Sequence, residues 1–170
     1  MSGKAAAGSD RETAAIERAV VALRRAQRRR NLARLAERRG ERGGAHAALP
    51  DGVFDLLDTV ESATERGETL TVTEAAAALA VDQPRASRLA AQALLAGLLR
   101  RQADQRDGRR SLLTLTPDGH ATLARMHDFR HRVVAETVAD WPAGDREALA
   151  RLLTRFVRDF THLTERPEGD

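Results

Sequence analysis

The sequence predicts a mainly α-helical protein with a small β-hairpin wing: a winged helix-turn-helix set between N- and C-terminal dimerisation helices. Three observations predict it. Two short helical segments meet at a turn, Val81-Asp82-Gln83; a charged stretch with one glycine, DQRDGRR (Asp104 to Arg110), lies between leucine-bearing segments; and long amphipathic stretches flank both.

Taking the elements in order, residues 1–10 are small and polar and are expected to be disordered. An N-terminal dimerisation helix and its linker fill 11–49. Ile16, Ala19, Val20, Leu23 and Ala26 recur at three- and four-residue steps, Leu32, Leu35 and Ala36 continue the stripe to about Arg39, and GERGGAHA (Gly40 to Ala47) breaks it. Residues 50–116 form the DNA-binding domain. Pro50-Asp51 opens a helix through Val53, Phe54, Leu56, Leu57 and Val60 that closes near Arg66-Gly67. Leu70-Thr71-Val72 reads as a brief strand, Thr73 as the N-cap of a helix from Glu74 to Ala80, and Pro84 as the first residue of a helix to about Leu98.

That last helix sorts its faces at about 100° per residue. Ala86, Ala90, Ala93, Leu94 and Gly97 fall on one side, Arg85, Arg88 and Gln92 on the other. Arginine and glutamine are the side chains that read guanine and adenine edges in a major groove. Beyond it, LRRQ and SLLTLT flank the charged stretch, with Leu113 and Leu115 alternating with Thr114 and Thr116 as in a half-buried strand. Asp107-Gly108 supplies the turn, where a positive φ is expected. Such a wing lets Arg109 reach a neighbouring minor groove, while Arg106 and Arg110 hold phosphates or brace the tip. Asp104 and Asp107 would repel phosphate, so they are expected to orient the arginines or cap the turn.

Thr116 and Pro117 start a helix to about Asp140. After Trp141-Pro142-Ala143-Gly144 the last helix carries Leu149, Leu152, Leu153, Phe156, Phe160 and Leu163 on one stripe. These C-terminal dimerisation helices occupy 117–165, with 166–170 a tail. Apolar stripes of this length ask for a partner, and a homodimer supplies one.

Composition narrows the function. No apolar run approaches the roughly 18 residues of a membrane span, and the N-terminus has no leucine-rich signal core, so a cytoplasmic location is expected. Cysteine is absent, which excludes disulfides, thiolate zinc sites and cysteine nucleophiles. The net charge is only +3, yet 27 arginines face one lysine, Lys4. Arg11 to Arg42 carries 11 Arg and four Glu, and Arg85 to Arg110 seven Arg and two Asp. Asp51 to Asp82 carries eight acids and one Arg. Two arginine-dense segments suit a polyanion, against the plainer reading of solvated helix faces. The run RRAQRRR (Arg24 to Arg30) fits an anionic ligand, a DNA backbone or simple solvation.

The turn DQPRASRL (Asp82 to Leu89), the AGLLRR that follows, and above all DQRDGRRSLLTLTPDG (Asp104 to Gly119) resemble the multiple-antibiotic-resistance regulator (MarR) family, whose wing reads D-x-R-D-x-R, then strand, then L-T-x-x-G and a long helix. The resemblance extends over about Ile16 to Leu163. It implies a homodimeric transcriptional regulator, usually a repressor, that binds double-stranded DNA at a pseudo-palindromic operator and leaves it when a small anionic or phenolic ligand binds. It makes Arg109 the minor-groove arginine, Arg106 and Asp107 the wing braces, and Arg85, Ser87 and Arg88 major-groove contacts; Gln92 on the helix face and Arg110 in the wing join them from the residue reading alone. The long glycine-rich linker departs from the family pattern.

No glycine-flanked serine, phosphate-cradling glycine loop or isolated carboxylate pair marks an enzyme, and no cofactor is expected. His127 and His131, four apart with His120 and Asp128 nearby, have a spacing that can hold zinc but lack the H-E-x-x-H pattern, and solvated histidines are the expected reading. The alternative to a sequence-specific regulator is an architectural protein that binds nucleic acid by charge alone.

Overall fold

The computed structural model describes residues 2–28, 35, 46, 49–105 and 107–164. Two compact units divide the chain, Met1–Phe129 and Arg130–Asp170.

In the first unit, helix α1 spans Ser2–Arg28. It starts at Ser2, ahead of the expected Arg11. Ala5, Ala6 and Ala7 are the strongest helix formers and outweigh the glycines at 3 and 8. Ile16, Val20, Val21 and Leu23 are all exposed on it. Its expected continuation to Arg39 and the glycine-rich linker lie outside the described residues, apart from Leu35 and His46.

Helix α2 (Asp51–Glu65) buries Val53, Phe54, Leu56, Leu57, Val60 and Ala63, the face that its three- and four-residue spacing predicts. Gly67, at φ +74°, closes it: the Glu68 N–H donates to the Ala63 carbonyl at 2.9 Å and the Gly67 N–H to Thr64 at 2.9 Å. Strand β1 is Leu70–Thr71. Helix α3 (Val72–Ala78) is capped by Thr71, not by the expected Thr73: the Glu74 N–H donates to Thr71 Oγ1 at 3.3 Å, and Glu74 Oε2 accepts from the Thr71 N–H at 2.7 Å. This reciprocal box is the T-x-x-E spacing, with Thr73 two residues too far along to serve.

Helix α4 (Gln83–Leu95) begins one residue before the expected Pro84, because Asp82 caps it by accepting the Arg85 N–H at 2.7 Å. Strands β2 (Leu99–Ala103) and β3 (Ser111–Leu115) form the hairpin, and β1 adds to the other edge of β3. The antiparallel register pairs Leu99 with Leu115, Arg101 with Leu113 and Leu70 with Leu113. Helix α5 (Pro117–Thr137) starts on the Thr116 cap, whose Oγ1 accepts the Gly119 N–H at 3.0 Å and donates to the Gly97 carbonyl at 2.6 Å. One core gathers Leu56, Leu57 and Val60 of α2, Ala75 of α3, Ala90 and Ala93 of α4, Leu98, Leu113 of β3 and Leu123 of α5. Each leucine so buried contributes roughly 1.5–3 kcal/mol.

The second unit holds the end of α5 and helix α6 (Ala143–Thr164), which has no buried residue. Leu149, Leu152, Leu153, Phe156, Val157, Phe160 and Leu163 are exposed along it, and the rings of Phe156 and Phe160 stack at 6.1 Å. No described helix is long and apolar enough to cross a membrane.

Candidate nucleic-acid interface

Helices α3 and α4 meet at a turn that requires an unusual backbone. Ala80 sits at φ +52°, and the chain reverses through hydrogen bonds from the Ala80 N–H to the Ala77 carbonyl and from the Val81 N–H to the Ala76 carbonyl, both at 3.0 Å. A glycine usually fills such a position, since a Cβ is disfavoured there. Across the turn, Gln83 Nε2 donates to Thr73 Oγ1 at 3.1 Å.

On α4 the expected faces separate. Ala86, Leu89, Ala90 and Ala93 are buried, while Arg85, Ser87, Arg88 and Gln92 are exposed together. Leu94 is half-buried and Gly97 exposed; Gly97 ends the helix at φ +71° instead of packing inward. Leu95 was not singled out from the sequence and is 90% exposed. Its place three residues after Gln92 and seven after Arg88 was the available signal: it continues their row on the open side of the helix.

The wing tip joins β2 to β3. The Asp104 N–H donates to the Arg110 carbonyl at 3.0 Å, the Arg110 N–H to the Asp107 carbonyl at 2.9 Å, and Asp107 Oδ1 accepts the Arg109 N–H at 3.1 Å. Asp107 therefore caps the turn, as expected of it. Gly108 does not take the expected positive φ; Asp107's side chain closes an ordinary four-residue turn in its place.

Arg110 is held on both sides. Its Nη2 lies 2.6 Å from Glu74 Oε1 of α3 and its Nη1 3.8 Å from Asp104 Oδ2. Glu74 thus serves both the helix cap and the wing. The Thr71 backbone N–H and hydroxyl, with smaller contributions from Arg110, hold its carboxyl below the ordinary 4.5. This cross-link joins residues 36 apart, so no local pattern could reveal it. Arg109 is exposed at the tip, and Arg106 lies outside the described residues. Arg101, on β2, donates to Ser111 Oγ at 3.4 Å.

The arrangement offers an open polar face on one helix and an exposed guanidinium on a stapled hairpin. These are the parts with which a protein can meet adjacent grooves of a duplex. Of the arginine run, Arg24 and Arg25 are exposed on α1, and Arg29 and Arg30 lie outside the described residues. His127 faces Asp58 and Glu61 of α2.

Comparison with known proteins gives the same picture. The MarR family model matches residues 49–110, from the entry into α2 to the end of the wing tip. A mutant MarR from E. coli is similar in structure, with a TM-score of 0.62 at 19% identity over 81% of this chain and 93% of that one. A probable transcriptional regulator from Pseudomonas aeruginosa matches with a TM-score of 0.53 at 25% identity, over 79% and 92%. Bordetella bronchiseptica BpsR, whose DNA binding is regulated by 6-hydroxynicotinic acid, matches with a TM-score of 0.53 at 24% identity, over 79% and 89%. No curated protein sequence matches the chain.

Proposed function

We propose that the chain, whose residues 49–110 match the MarR family model, is a transcriptional regulator that binds a pseudo-palindromic operator as a homodimer and represses until a small anionic or phenolic ligand releases it. The observation that carries this reading is the shared exposure of Arg85, Ser87, Arg88 and Gln92 on α4, while Ala86, Leu89, Ala90 and Ala93 are buried on its other side. That face is proposed to enter the major groove, with Leu95 placed to meet a thymine methyl. Arg109 is proposed to enter the minor groove from the stapled wing. Arg106 and Arg110 are proposed to meet phosphates, with Arg110 at the same time tying the wing to α3 and Asp107 shaping the tip.

Homodimerisation is supported by the exposed apolar rows of α1 and α6, which a second copy would cover. Two copies then present two α4 helices, and operator half-sites about 34–36 Å apart would receive both. A ligand that alters their separation favours a state that cannot dock twice, which is the route to release. An anionic ligand suits the arginines of α1 and matches the chemical class of the 6-hydroxynicotinic acid that regulates BpsR.

The test is selection of bound fragments from the source genome, followed by affinity for the selected fragment and for its scrambled sequence at one moderate salt concentration. Sequence-specific regulation predicts a preference of at least about 10³-fold. A ratio near one would instead identify an architectural protein that binds by charge.

A further inference from the structure

The packing of α2 against the first turns of α5 assembles a second polar cluster, one that DNA recognition does not use. Asp58 and Glu61 are three apart on α2 and so share a face; His120 and His127 are seven apart on α5, two turns along one face. Leu123, between the histidines, is fully buried in the core that also holds Leu57 and Val60, and this aims both imidazoles at α2. His127 Nε2 lies 2.8 Å from Asp58 Oδ1, His127 Nδ1 3.9 Å from Glu61 Oε2, and His120 Nδ1 3.3 Å from Glu61 Oε1. One ligand atom each from Asp58, Glu61 and His127 lies within 4.8 Å of the others.

We propose that Asp58, Glu61 and His127 form a three-residue binding site for a first-row divalent transition-metal cation, with water completing its coordination. Ligand atoms around such an ion at about 2.0–2.2 Å lie roughly 3–3.5 Å apart, and one atom each from the three residues, already within 4.8 Å of the others, reaches that spacing by side-chain rotation. The donors are imidazole nitrogen and carboxylate oxygen with no thiolate, a set that suits zinc, nickel and their neighbours over copper(I). Two carboxylates in the donor set supply negative charge that favours a dication. Glu61 is mostly covered and the other two are half-exposed, which leaves an entry path and room for water to complete the coordination. The bound ion would tie α2 to α5 by a bond neither helix makes alone.

Zinc titrated into the metal-free full chain, in competition with a chromophoric chelator, tests the site. One ion per chain is expected. The melting temperature should rise by roughly 5 °C when free zinc is about 100-fold above the dissociation constant. Asp58→Asn and His127→Ala should each weaken binding at least about tenfold while keeping the parent's far-ultraviolet circular dichroism, and Glu61→Gln offers a near-isosteric third variant. His131→Ala should bind as the parent does. No zinc retained by the parent overturns the proposal, as does equal retention by a Glu61→Gln, His127→Ala double variant. Zinc lost from His131→Ala but kept by Asp58→Asn would overturn it too, by placing the ion on the other histidine pair.

Discussion

At single residues, the backbone sets the sharpest demands. Ala80 holds a left-handed conformation at φ +52° in the turn between α3 and α4. The strain costs an L residue about 1–2 kcal/mol, partly offset because glycine would loosen the unfolded chain by about 0.4–1 kcal/mol. Ala80→Gly is therefore expected to stabilise the protein by about 0.5–1 kcal/mol, read as a higher denaturant midpoint at unchanged slope. Gly119 makes the opposite case. A Cβ there would run into the Leu98 carbonyl oxygen and meet Leu115 Cδ2 at 2.9 Å, where α5 starts against the segment that follows α4. Gly119→Ala should cost about 1–3 kcal/mol through overpacking against a backbone that cannot yield; a melting curve like the parent's would refute the close approach. Glu74 adds a pH dependence. Its carboxyl is held below 4.5 in the folded protein, so its contribution is complete above that value and is lost as pH falls through the lower folded value. In Glu74→Gln the decline of melting temperature below about pH 4.5 should be shallower than in the parent. The glycine of L-T-x-x-G was legible as a motif, but its reason, a carbonyl across the chain, was not. The strain at Ala80 was hidden because an alanine does not advertise a turn.

At the level of elements, periodicity was most informative where one face is buried by the chain itself. The stripe of α2 and the two faces of α4 were readable because their spacing is the packing. Starts of helices were less so. Two hydroxyls, Thr71 and Thr73, stand near the start of α3, and only the partner at three residues, Glu74, decides between them. The wing's sides and tip were readable from leucines and the Asp-Gly pair, while its attachment to α3 through Arg110 was not, since charge pairing between distant residues leaves no spacing to detect. The two arginines at the tip should accordingly behave differently. Arg109→Ala is expected to lower operator affinity by about 1–3 kcal/mol, with amide exchange at Asp104 and Arg110 unchanged. Arg110→Ala should speed exchange at those amides even without DNA. Identical exchange in the two variants would contradict the brace.

Across the whole molecule, the exposed apolar rows are the part that one chain leaves unfinished. Leu152, Leu153, Phe156 and Phe160 line α6 with no buried neighbour on that helix, and Ile16, Val20 and Leu23 line α1. Their stripes were plain in the sequence, but a stripe says only that something covers it. If a second copy does, Phe156→Asp should shift the mass seen in light scattering from dimer to monomer. It should also weaken operator binding far more than it weakens a single isolated winged helix on a half-site, since linked binding multiplies affinity. A dimeric Phe156→Asp variant would move the interface elsewhere. The stapled wing bears on time as well as on strength. Because Asp107 closes the turn and Arg110 pairs with Glu74, the described tip residues are tied to α3 before they meet a duplex. Encounter should then run at one rate on any DNA of the same charge, set by diffusion and salt, and operators should differ from other sequences in how long the protein stays.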